Sequence, residues 1–204
     1  MKRAFTLLEL TVVIAVIAIL SVILIPRFTD SRLREAADQI LSHMRYTQHL
    51  AMIDDRYDPS DSNWPLERWH IGFWQCTNND WYYIVGHDLD HGGGVGASEA
   101  ALNPSDKKLM FTSNLCTLAA NESGEILITK KYGINNVVFT NSCGNNNKYI
   151  AFDELGRPYK STLGTNRLDI IYDRCDITFF SPDGNFTISI EPETGYIHLS
   201  EINS

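Results

Sequence analysis

Basic residues are scarce in this chain: 17 Lys and Arg stand against 25 Asp and Glu, for a formal charge of −8 and a pI near 5.2. That balance argues against a general binder of nucleic acid or of anionic lipid. No Gly-x-Ser-x-Gly, His-Glu-x-x-His or other nucleophile–base string is present, so no residue is assigned a catalytic role and the chain is read as a non-enzyme. Nor is there a Cys-x-x-Cys pair, which removes the usual zinc and thioredoxin-like patterns, and neither a metal nor a cofactor is expected. Internal repeats and long linkers are also missing. The sharpest scarcity is local: between residues 5 and 26 the only charged side chain is Glu9.

What fills that stretch is apolar. Residues 10–25 read LTVVIAVIAILSVILI, and with residues 5–8 the segment is long enough, at about 1.5 Å per residue, to cross a hydrocarbon core of about 30 Å as a helix. The sequence therefore predicts a transmembrane helix over 5–26. No small-x-small cleavage site follows the run, which ends Leu24-Ile25-Pro26-Arg27-Phe28, so a conventional secretory signal is excluded. Beyond Pro26 the apolar positions become periodic: Leu33, Ala36, Ala37, Ile40, Leu41, Met44, Thr47, Gln48 and Ala51 follow spacings of three and four. They predict an amphipathic continuation of the helix over 27–53.

Arg3-Ala4, then Phe5-Thr6-Leu7-Leu8-Glu9, then an apolar helix with Pro26 near its end, resembles the amino terminus of type IV pilins and of the pseudopilins of type II secretion. Ala4 stands where that family usually has Gly. The resemblance implies a leader over 1–4, removed by a prepilin peptidase between Ala4 and Phe5, and N-methylation of Phe5. It also implies an assembly role for Glu9, pairing with the Phe5 amine of an adjacent subunit, and for Pro26. A second stretch points the same way. Ile150 to Pro158 (IAFDELGRP) and Ile188 to Ile197 (ISIEPETGYI) resemble the strand-Gly-Arg and strand-Thr-Gly pattern of minor pseudopilins of the GspH/FimT type.

Residues 54–204 read as a β-rich globular domain, with short alternating or β-branched runs at 69–75, 81–85, 109–112, 126–129, 137–140, 149–152, 168–172, 176–180, 186–190 and 196–199. The expected fold class is α+β: a long N-terminal transmembrane/amphipathic helix packed on a C-terminal antiparallel β-sheet domain, pilin-like. The expected localisation is single-pass in the inner membrane with the domain in the periplasm. Four cysteines, Cys76, Cys116, Cys143 and Cys175, all follow the apolar run. Three connectivities exist; Cys76–Cys116 with Cys143–Cys175 is favoured, because Cys143 sits in a turn and Cys175 opens a strand, and free buried thiols are the alternative.

Three further features have a plain reading. The four Trp between residues 64 and 81 read as core rather than as a recognition surface. His87-Asp88-Leu89-Asp90-His91 with the following glycines lacks the order of an EF-hand and reads as a solvated loop. Residues 54–204 carry 11 Lys and Arg against 21 Asp and Glu, although Lys130, Lys131, Lys148, Arg157, Lys160 and Arg167 fall in a locally basic segment. The resemblance thus implies a minor pseudopilin that polymerises through its helix, with other pilin or pseudopilin subunits and an inner-membrane assembly platform as partners. The alternatives are a FimT-like minor pilin acting in pilus biogenesis or DNA uptake, and a membrane-anchored protein that does not polymerise.

Overall fold

The structure is a computed structural model that describes residues 6–54, 58–90, 94–144, 148–160 and 169–203, with the backbone alone at 22–31, 65–66, 141 and 169. It opens with α1 (Leu7–Ile53), which starts at a capping box and ends at Asp54, whose amide donates to the Leu50 carbonyl. Leu33, Ala36, Ala37, Ile40, Met44, Thr47 and Ala51 are all buried on one face of its second half. The three- and four-residue spacing of these side chains puts them on a single stripe, as one helical face requires.

The strands form two antiparallel sheets. One has the order β2-β1-β4-β5-β6, from β1 (His70–Gln75), β2 (Trp81–Gly86), β4 (Tyr149–Phe152), β5 (Pro158–Lys160) and β6 (Asp169–Ile170). The other has the order β3-β7-β8-β9, from β3 (Asn136–Phe139), β7 (Cys175–Ser181), β8 (Gly184–Ile190) and β9 (Ile197–Asn203). Phe73 of β1 meets Phe179 of β7 with ring centres 5.2 Å apart, and Phe179 stacks on Phe186 of β8 at 4.9 Å. One buried cluster joins both sheets to the α1 stripe. β2 is buried on both faces. Gly86 makes that possible: a Cβ there would lie 2.4 Å from Val95, so the coil that closes over β2 can approach its backbone directly.

The expected fold class needs correction. Instead of a transmembrane helix on one sheet domain, the chain has two antiparallel sheets, with the second half of α1 buried against them and short helical pieces between strands. Among the described residues no helix is long and apolar enough to cross a membrane. The expected transmembrane helix and single-pass inner-membrane localisation are therefore withdrawn.

Two expected strands also differ. Residues 126–129 fall in a 3-10 turn (Gly124–Ile126) and in α2 (Ile128–Tyr132), which Gly133 terminates in the left-handed region at φ 77°; so short an apolar run fits either helix or strand. Residues 109–112 form no strand and join their neighbours through single bridges at Leu109. β5 begins with Pro158, whose missing N–H hides it from a strand pattern.

Candidate assembly surface

The two halves of α1 are treated oppositely by the rest of the chain. Between residues 7 and 20 every Leu, Val and Ile is exposed, from 48% at Val13 to 81% at Leu7. The polar side chains of this stretch turn back on the helix itself. Thr6 and Glu9 cap each other, the Thr6 amide donating to a Glu9 carboxylate oxygen at 2.9 Å and the Glu9 amide to the Thr6 hydroxyl at 3.3 Å. Thr11 donates to the Leu8 carbonyl and Ser21 to the Ile17 carbonyl. What faces outward is thus apolar on all sides, and a helix of that kind is normally covered by other helices or by lipid.

The second half is clamped by polar contacts as well as by its buried stripe. His43 Nδ1 and the Tyr83 hydroxyl share a hydrogen bond of 2.5 Å, and Gln39 donates to Tyr83 and to the Glu125 carbonyl. Lys131 Nζ and the Tyr132 hydroxyl both donate to the side-chain amide oxygen Oε1 of Gln39, and Lys131 also pairs with Glu125. Burial holds the His43 imidazole below its ordinary pKa. Further along, Arg45 donates twice to the Ile197 carbonyl, and Gln48 Nε2 donates to the carbonyls of Gly156 and Gly195. Gly156 and Gly195 sit at φ 78° and 62°, and a Cβ on Gly195 would lie 2.0 Å from the Gly156 oxygen. The two C-terminal motifs singled out from the sequence therefore converge on one glutamine of α1.

Of the expected site residues, Ala4 and Phe5 lie outside the described residues, and Pro26 is described by its backbone alone, inside α1. Glu9 serves its own helix in the capping box. Cys76 is joined to Cys116 and Cys143 to Cys175, the favoured connectivity. Trp69 and Trp81 belong to the core, whereas Trp64 and Trp74 are half-buried. The loop expected to be solvated is so only in part: His87 and Asp88 are buried, Leu89 and Asp90 are exposed, and His91 lies outside the described residues. Asp88, Asp90 and Glu99 offer carboxylate oxygens within 4.8 Å of one another, near enough to share a cation. Both Glu99 oxygens are already engaged, accepting from the amides of Leu89, Asp90 and Gly96, so the cluster fastens the coil over β2.

Part of the locally basic segment is neutralised in place. Lys131 meets Glu125, and Arg157 Nε lies 2.7 Å from the buried Asp153 carboxylate; Arg174, just beyond them, meets Asp176. Arg167 lies outside the described residues. No family model, curated protein or solved structure matches this chain. Sequence reasoning missed Arg68, which is buried between Trp64 and Tyr159, and the docking role of Gln48. Gln48 stood on the predicted stripe but carried no signal of its partners, which are backbone carbonyls more than 100 residues away.

Proposed function

We propose that this chain is a structural subunit of the minor pseudopilin kind, which assembles with like subunits through the first half of α1. The observation that carries the reading is the exposed apolar length of α1 beside a firmly docked second half. Burying one Leu, Val or Ile side chain contributes about 1.5–3 kcal/mol, so packing such helices side by side offers a large driving force for assembly. The GspH/FimT-type resemblance supports the same reading. The two disulfides suit an oxidising compartment. DNA capture is the weaker alternative, since residues 54–204 carry 21 Asp and Glu against 11 Lys and Arg.

The test is photo-crosslinking from probes at Val12 and Ile17 in the full chain, with a probe at the buried Ala37 as control. Crosslinks to other subunits from the first two positions and none from the third are expected. Equal, background-level yields at all three would refute assembly through this surface.

A further inference from the structure

Tyr83 of β2 is fully buried, and His43 of α1 is only 5% exposed. The Tyr83 hydroxyl meets two nitrogens, Gln39 Nε2 at 3.2 Å and His43 Nδ1 at 2.5 Å. An amide nitrogen can only donate, so the hydroxyl accepts from Gln39. Its own single proton then has one acceptor among the described residues, His43 Nδ1. Tyr83 keeps that proton, because burial raises its pKa. The His43 ring is therefore neutral, bare at Nδ1 and protonated at Nε2, with the Asn103 side chain as the other partner of the ring.

The same hydrogen bonds join α1 to the elements packed on this face. Gln39 donates to the Glu125 carbonyl at 2.8 Å and accepts from Lys131 and Tyr132. Asn103 donates to Ser123 Oγ and to the Glu125 carboxylate, and Ser123 donates to Asp106. Asn103 and Ser123 are fully buried, so a partner lost here is not replaced by bulk water. Besides Tyr83 of β2, the charged groups facing the ring are Glu125 of the 3-10 turn, Lys131 of α2 and Asp106 of the preceding coil. Glu125 and Asp106 favour a ring cation; burial and Lys131 oppose it and prevail, which holds the imidazole below its ordinary pKa.

We propose that His43 is an acid-sensitive latch, whose protonation at Nδ1 releases the second half of α1 from α2, the 3-10 turn and the coil around Asn103 before the sheets come apart. A proton on Nδ1 turns the one acceptor of the Tyr83 proton into a second donor. Tyr83 Oη then receives from both His43 and Gln39, and its own O–H is left in the core without an acceptor among the described residues. Opening relieves this conflict by giving the ring and the hydroxyl to water. The backbone ladders β1–β2 and β7–β8 do not run through His43, so the conflict falls on the helix face and not on the sheets. Because α1 is one helix, release of its docked half also frees the exposed half to change its angle to the domain. The latch does not depend on the assembly reading, since it concerns only the docked half.

The experiment follows amide exchange of the full chain between pH 7 and pH 5, corrected for the intrinsic pH dependence of exchange, together with the ring nitrogens of His43 by NMR. At pH 7 Nδ1 is expected as a bare nitrogen and Nε2 as a protonated one. Protection over residues 39–47 and 125–132 should fall below about pH 6.5 by up to about tenfold per pH unit, the limit for one proton taken up on opening, while β7 and β8 keep theirs. The same local response is expected in His70→Asn, which removes the other buried ring of low pKa. His43→Gln should lose it, because a glutamine oxygen accepts from Tyr83 without titrating. A ring protonated at Nδ1 at pH 7, protection that stays constant or falls equally in β7, loss of the response in His70→Asn, or a parent-like profile in His43→Gln would overturn the proposal. Should His43→Gln fail to fold, the nitrogen shifts and exchange pattern of the parent and of His70→Asn decide.

Discussion

The first and second halves of α1 differ in composition, and they differ as much in what the remaining chain offers them. Ile14 and Ile40 are the same residue on the same helix, one 58% exposed and the other fully buried. Around Ile40 the two sheets supply apolar partners, and Gln39, His43, Arg45 and Gln48 supply polar ones; around Ile14 the chain supplies nothing described. Helical structure is thus continuous across both halves, but only the second belongs to the core. The first is a surface on which assembly can act without disturbing the fold.

That contrast can be broken most severely from the buried side. Ile40→Ala should destabilise the chain by about 2–5 kcal/mol, through lost burial and the cavity left behind, as measured by denaturant unfolding. Ile14→Ala should change unfolding by no more than about 0.5 kcal/mol, while lowering the yield of subunit crosslinks. Equal stability losses at the two sites would show that the first half is packed after all.

Acid sharpens the contrast next, because the titrating histidines lie on the buried side. The His70 ring donates from Nδ1 to the Arg68 carbonyl, which can only accept, and its buried Nε2 has no partner among the described residues. Protonation would place an unpaired N–H and a charge there, and burial pushes the pKa down to about 4. The unfolded ring titrates near 6.5, so between these values the unfolded chain binds more protons. Stability should therefore be full above pH 6.5, fall as pH drops towards 4 and level off below, by on the order of 3 kcal/mol from this group. His43, also held low, adds to the loss in the same direction. Unfolding curves of the parent and His70→Asn at several pH values isolate the His70 share. A parent and variant with parallel pH profiles would exclude it.

Gly195→Ala probes the docking of α1 itself. The new Cβ would meet the Gly156 carbonyl, and the left-handed backbone adds strain, so a cost of about 2 kcal/mol is expected. The Gln48 contacts should loosen with it, raising amide exchange at the end of α1 ahead of the sheets. Uniform exchange across the chain would mean that these turns do not hold the helix.

How far the sequence revealed this arrangement depended on the range of each interaction. The α1 stripe was legible because its spacing of three and four is local, and most strands were legible from alternation. The division into two sheets was not, since it rests on pairings such as Gly72 with Tyr149 and Val137 with Phe179. The membrane expectation rested on apolarity and length, which cannot separate a helix awaiting protein partners from one awaiting lipid. In the candidate sites, the cysteine pairing was readable from turn and strand positions. Arg68 was not, because nothing local shows that Tyr159 closes over it.

The smallest expected effect lies at the start of the exposed half. Glu9 and Thr6 form a reciprocal cap, and removing one partner of such a cap costs about 0.5–2 kcal/mol of helix stability. Because residues 7–20 are not packed on the sheets, that cost should stay in the first turns and leave global unfolding unchanged. Glu9→Gln keeps a capping side chain but removes its charge, so it should fray the first turn less than Glu9→Ala does. If the carboxylate also meets a cation on a neighbouring subunit, as the family resemblance implies, Glu9→Gln should still lower crosslinking from Val12. Amide exchange at residues 7–11 reads the cap, and crosslink yield reads the intersubunit role. Loss of both in Glu9→Ala with neither lost in Glu9→Gln would confine Glu9 to capping.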